Sequence, residues 1–91
     1  MWETADPDGR EVILEQAGWL HIIRRHPYIG VAPEDVVAVI ARPDERIPGR
    51  DADEEWYYRR GLGPSVWIRV VVHYEHGRGL IVTAFPRRSL P

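Results

Sequence analysis

The chain has 91 residues, enough for one domain with a single core. Apolar residues make up 44% and charged residues 29%, which excludes disorder of the low-hydropathy, high-charge kind. No cysteine is present, which excludes disulfides, thiolate metal sites and cysteine nucleophiles.

The formal charge of −2 is unevenly spread: residues 1–55 hold 13 acids against six Arg, and residues 56–91 hold six Arg against one acid, Glu75. All 12 cations are Arg. Guanidinium is a planar fork that fits phosphate and carboxylate bidentately. A GC-rich genome also writes Arg for Lys, but that bias does not gather positive charge in the second half. No run of 18 apolar residues occurs, so no membrane-spanning helix is predicted. The acidic start Met1-Trp2-Glu3-Thr4 does not read as a signal peptide, and a cytoplasmic location is expected.

In chain order, Asp6-Pro7-Asp8-Gly9 is a turn signal closing an N-terminal segment read as loose. Glu11 to Glu15 is either a short strand or a first helical turn, too short for periodicity to separate them. Gln16 to Arg25 reads as helix, with Trp19, Leu20 and Ile23 as its apolar stripe. Pro27 disfavours helical geometry at His26 and ends it. Pro33 starts a second helix, with Glu34 and Asp35 facing the positive end of its dipole; Val36, Val37, Val39 and Ile40 are its apolar residues, and Pro43 stops it. Residues 44–55 read as a turn-rich loop or a weak edge strand.

The period then changes to two. Trp56 to Arg60 is an aromatic strand, followed by a turn at Gly61-Leu62-Gly63-Pro64. In Val66 to Tyr74, residues Val66, Ile68, Val70 and Val72 form a purely apolar face, predicted to pack on helices. Trp67, Arg69, Val71 and His73 form the other, predicted to be partly wet. Glu75-His76-Gly77-Arg78 is a hairpin loop, and Leu80 to Phe85 is the last strand. The fold class predicted is therefore α+β: N-terminal helices packed on one face of an antiparallel meander of about four strands. The connections are too short for parallel crossovers.

His21 and Arg25 are i, i+4 on the first helix, and His26 follows at its end. The cluster His21, Arg24, Arg25 and His26 puts two groups of the kind that titrate near neutrality beside two fixed cations. A histidine at a helix C-terminus is also favoured by the dipole alone. Thr83 shares a face with Ile81 and Phe85. Arg87 and Arg88 follow Pro86 as a basic tail. Trp56-Tyr57-Tyr58 can stack bases, although aromatics on a strand more often serve as core or cross-strand pairs; the candidate substrate contacts are Arg69, His73, Arg88 and Tyr58. No metal or cofactor site is predicted: His73 and His76 straddle a strand end without metal-ligand spacing. Gly61-Leu62-Gly63-Pro64 lacks the Lys and the helix of a phosphate loop, and neither Ser65 nor Ser89 stands in a nucleophile elbow.

Trp19-Leu20-His21-Ile22-Ile23-Arg24-Arg25-His26-Pro27 resembles the "HI…RHP" signature of small phage and bacterial proteins grouped with the barnase/EndoU/colicin/RelE-like nucleases. Val70-Val71-Val72 and Ile81-Val82-Thr83-Ala84-Phe85 are similar to the strands ending in "VTAF" in the same proteins, and Pro43-Asp44 also fits. The resemblance covers residues 9–88. It implies a toxin domain with helices preceding a four-stranded sheet, cleaving RNA (tRNA or mRNA) without metal and countered by a cognate antitoxin or immunity protein. By the same resemblance, His21, Arg25, His26 and Thr83 are the catalytic positions, with Arg87 beside them. The chain departs from the pattern in its slight net acidity and its lack of Lys. Two readings of another class stand beside this one: a non-catalytic interaction module and an RNA-binding domain that does not cut.

Overall fold

The computed structural model describes residues 1–91. In chain order its elements are β1 (Trp2–Ala5), β2 (Glu11–Leu14), α1 (Gln16–Arg25), α2 (Pro33–Ala41), β3 (Glu45–Pro48), β4 (Glu54–Arg60), β5 (Trp67–Glu75) and β6 (Arg78–Arg87). The strands form one sheet in the order β1-β2-β6-β5-β4-β3. Every pairing is antiparallel except β2 with β6, which is parallel.

This corrects the expected four-stranded antiparallel meander carrying helices on one face. The molecule is mostly sheet, with six strands in one mixed sheet and two helices of only 10 and nine residues. Three local readings account for the difference. The N-terminal segment read as loose is β1, which hairpins onto β2 through Asp6-Pro7-Asp8-Gly9. Glu11–Leu14 is a strand, and residues 44–55 contain the edge strand β3. The argument from short connections applied only to consecutive strands. β2 and β6 are linked through all of residues 15–77, ample chain for a parallel return.

The apolar face of β5 is where its period predicts: Ile68, Val70 and Val72 are fully buried toward the helices, together with Val36, Val39 and Ile40 of α2. Val66, expected on that face, lies before the strand and is 47% exposed. The other face, expected to be partly wet, is buried as well at Trp67, Arg69 and Val71, and of these four only His73 is exposed. The β5–β6 turn consists of His76 (φ 53°) and Gly77 (φ 76°). Two left-handed residues suit the tight hairpin whose twist matches its strands.

α2 starts as its sequence predicts, with Pro33 in its first turn and the Asp35 carboxylate accepting from the Ala32 N–H at 2.9 Å. α1 differs from expectation. Ile22 is its buried residue, Trp19 is half-buried beside Trp2, and Leu20 and Ile23 are 41% and 36% exposed. The reason is its position. β2 stays beside β6 only at Gly79 and Leu80; α1 then takes over along β6. A helix laid beside a strand buries a narrow line, not a broad face.

A polar network closes one end of the core. The Tyr74 hydroxyl donates to Asp6 Oδ2 at 2.8 Å and lies 2.6 Å from the Tyr57 hydroxyl. Arg10 pairs with Asp6 and Glu55, and Arg46 pairs with Glu55 and Asp8. Burial works against charge on Asp6 and Glu55. Hydrogen bonds from Tyr74 and Arg10, and from Arg46 and Arg10 respectively, outweigh it and hold both carboxyls below their ordinary range. The network ties the β1–β2 turn to β3, β4 and β5.

Candidate functional site

Pro27 ends α1 and turns the chain, so that His26 leaves the helix with its N–H still bonded to the Ile22 carbonyl at 2.8 Å. Its ring stacks on Phe85 of β6, centroids 5.3 Å apart and planes 30° apart. A shallow cleft of about 270 Å³ opens there, lined by Arg25, His26, Pro27, Tyr28, Pro64 and Pro86 among others. Burial, then the charges of Arg25 and His21, lower the pKa of His26 below the ordinary histidine value. Both effects favour the neutral imidazole, whose lone pair can accept a proton.

The sheet face away from the helices carries a second arrangement. Residues opposite one another across antiparallel strands share a face, and three rows result: Arg60, Trp67 and Arg87; Tyr58, Arg69 and Phe85; Trp56, Val71 and Thr83. Arg69 is only 7% exposed, where the sequence suggested a partly wet side chain. Its guanidinium carbon lies 4.0 Å from the ring centre of Trp56, 5.3 Å from Tyr58 and 5.2 Å from Phe85. Nε donates to the Tyr58 hydroxyl at 2.7 Å. Arg60 sits 4.7 Å over Trp67 in the next row. Such cation–π contacts are worth ~0.5–2 kcal/mol each, more as water is excluded. They are what makes burial of Arg69 tolerable without an acid beside it.

The predicted residues thus fall into connected and separate groups. Arg25 and His26 share the cleft, and the exposed His21 is near enough for its charge to act on His26. Thr83 is half-buried in β6, two residues from Phe85 and so roughly 7 Å along the strand. Arg87 lies two residues the other way; its terminal nitrogen donates to the Pro91 carbonyl at 2.8 Å, while its Nε is buried without a partner. The His26–Phe85 stack joins the helix end to this strand. Tyr58 is buried beneath Arg69, and Arg88 is exposed beyond β6. His73 stands apart. It faces a different cleft, with Glu15, Glu75 and Arg78, roughly 17 Å along β5 from the row that ends at Pro86. No three His, Asp or Glu residues are grouped to hold a metal ion.

Searches against protein-family models, curated proteins and solved structures each found no match.

Of two side chains at the centre of the arrangement, Phe85 was not among the predicted site residues, and Trp56 was read only as one of three rings that can stack bases. The signal for their faces was available. Period two puts Phe85 with Thr83 and Arg87, and Trp56 with Tyr58. What the sequence lacks is the register that sets both against Arg69.

Proposed function

We propose that this protein is a metal-independent endoribonuclease of the cytoplasm. The observation that carries the reading is His26 stacked on Phe85 at the edge of an open cleft that also holds Arg25, where burial and neighbouring charge lower its pKa. In this reading His26 takes the proton of a ribose 2′-hydroxyl. The 2′-oxygen attacks phosphorus, the bond to the 5′-oxygen breaks, and His21 delivers a proton to that oxygen. The products are a 2′,3′-cyclic phosphate and a 5′-hydroxyl. Arg25 and Arg87 balance the charge on the phosphorane, and Thr83 donates to a non-bridging oxygen. The substrate is tRNA or mRNA, and a cognate antitoxin protein would restrain the activity in the cell.

The test is incubation of the purified protein with total cellular RNA in EDTA, read on a denaturing gel beside a folded His21→Ala/His26→Ala variant. Cleavage that survives EDTA and disappears in the variant is the expected result. Equal cleavage by both proteins overturns the assignment. RNA bound by the parent protein but left intact, with tRNA and mRNA both tried, would favour the binding-domain reading, to which the aromatic face around Arg69 is suited.

A further inference from the structure

Arg69 combines three properties that a structural arginine rarely has together. It is more than nine-tenths buried. It forms no ion pair, since the arginines that do are Arg10, Arg46 and Arg78. Its one hydrogen bond uses Nε and the Tyr58 hydroxyl, which leaves both terminal nitrogens without a protein partner. Those nitrogens are not sealed in, because the side-chain donor buried without a partner is Arg87 Nε. Rings of Trp56, Tyr58 and Phe85 surround the guanidinium carbon, so the cation is fixed in orientation before any ligand arrives.

A guanidinium held this way presents its terminal N–H groups as a fork, the geometry that grips two oxygens of one anion. Water, excluded on the ring side, competes weakly there. Charge on the neighbouring row favours a multiply charged anion over a single carboxylate: Arg60 and Arg87 flank Trp67 immediately beside the Arg69 row. Trp56 remains half-exposed next to the fork and offers an aromatic surface on which a base can stack, whereas the Phe85 ring is already engaged by His26 and Arg69.

We propose that Arg69 and the rings around it form a binding site for the phosphate of a nucleotide. The assignment goes beyond strand cleavage and holds equally for a protein that binds without cutting. Phosphate contacts the Arg69 terminal nitrogens, Arg87 adds a second cation from β6, and the attached base lies against Trp56.

The test is an NMR titration of the intact protein with adenosine 5′-monophosphate, inorganic phosphate and acetate, each at constant ionic strength. The probes are the Arg69 Nε–H and Trp56 Nε1–H resonances. Saturable shifts of both with the nucleotide, weaker ones with phosphate and none with acetate are expected. Arg69→Lys keeps charge and bulk but loses the fork, and is expected to weaken nucleotide binding at least tenfold. Arg87→Gln leaves the ring cradle untouched, and a several-fold loss is expected. Shifts that do not saturate, that acetate reproduces, or that Arg69→Lys leaves unchanged overturn the site. Tighter binding of a glutamate-rich peptide than of the nucleotide overturns its ligand class. Nucleotide binding in a protein that cleaves no RNA sustains this site while removing the nuclease reading. Cleavage without nucleotide binding does the reverse.

Discussion

The His26 ring stacks on Phe85 with centroids 5.3 Å apart, joining the last residue before the α1 breaker to the strand that ends the sheet. The contact shelters one face of the imidazole while Arg25 and His21 press on it electrostatically. Both effects disfavour the imidazolium, and they come from different elements, so they can be removed one at a time.

The first prediction follows from that separability. In an NMR titration His26 has its midpoint below about 6.5, the ordinary histidine value. Arg25→Gln and His21→Ala each raise the midpoint by removing a like charge, and Phe85→Ala raises it by readmitting water. The sign for stability follows. The unfolded chain takes up the proton first, so the His26 contribution is fully present above about 6.5 and is lost as pH falls through the lower folded value. A midpoint that none of the three substitutions moves would remove the basis for a neutral His26.

The second prediction concerns rate. If His26 is the base, His26→Ala lowers kcat/KM for RNA cleavage by about 10²–10⁴, and the parent rate declines as acid protonates His26. Thr83→Val removes one donor to a phosphate oxygen, for a loss of roughly tenfold, equivalent to ~1.4 kcal/mol. Single-turnover rates from pH 5 to 8 measure both.

The third concerns the polar network. Tyr74→Phe keeps the ring under the Arg10 guanidinium, 3.7 Å away, but takes a donor from the buried Asp6 and a partner from the Tyr57 hydroxyl. A loss of about 1–3 kcal/mol in urea unfolding is expected. Because the folded pKa values of Asp6 and Glu55 are depressed, their contribution is present above about pH 4, where the unfolded carboxyls titrate. It is lost as pH falls further. Asp6→Asn is expected to flatten that acid limb; an unchanged slope would mean that other carboxyls set it.

The same residues mark what the sequence made legible. Alternation of Ile68, Val70 and Val72 with Arg69 and His73 located β5 and its apolar face, because period two is local information. Pro27, Pro33 and Pro43 bounded both helices, since proline acts on its immediate neighbours. Trp2–Ala5 was missed as a strand because it alternates half-buried with exposed residues over only four positions. The parallel seam of β2 on β6 was missed because nothing between residues 15 and 77 announces it. The cluster at the end of α1 was legible from i, i+4 spacing and Pro27. The burial of Arg69 was not, because the rings that bury it come from β4 and β6, and only register sets them opposite.

The last prediction tests the seam itself. Gly79 pairs with Val12 where β2 lies on β6. A Cβ added there would come within 2.8 Å of Val72 Cγ1 and 2.9 Å of both Tyr74 Cε1 and Val12 Cγ2. All three neighbours are buried core side chains, Val72 and Tyr74 from β5 and Val12 from β2, so none can swing aside into solvent. Gly79→Ala therefore has to part β2 from β6 or displace β5, with an expected cost of about 1–3 kcal/mol from overpacking. Gly77 is the control. Its added Cβ meets nothing within 4 Å, but its φ of +76° lies in the left-handed region. Gly77→Ala is expected to cost about 1–2 kcal/mol, through backbone strain alone. Hydrogen exchange separates the two mechanisms even where the free energies coincide. Gly79→Ala should lower protection of the β2 amides selectively, because the damage is at the seam, whereas Gly77→Ala should act on the β5–β6 turn. Uniform loss of protection in both variants would mean that β2 does not open as a separate unit, and that the parallel strand is as firmly held as the central hairpin.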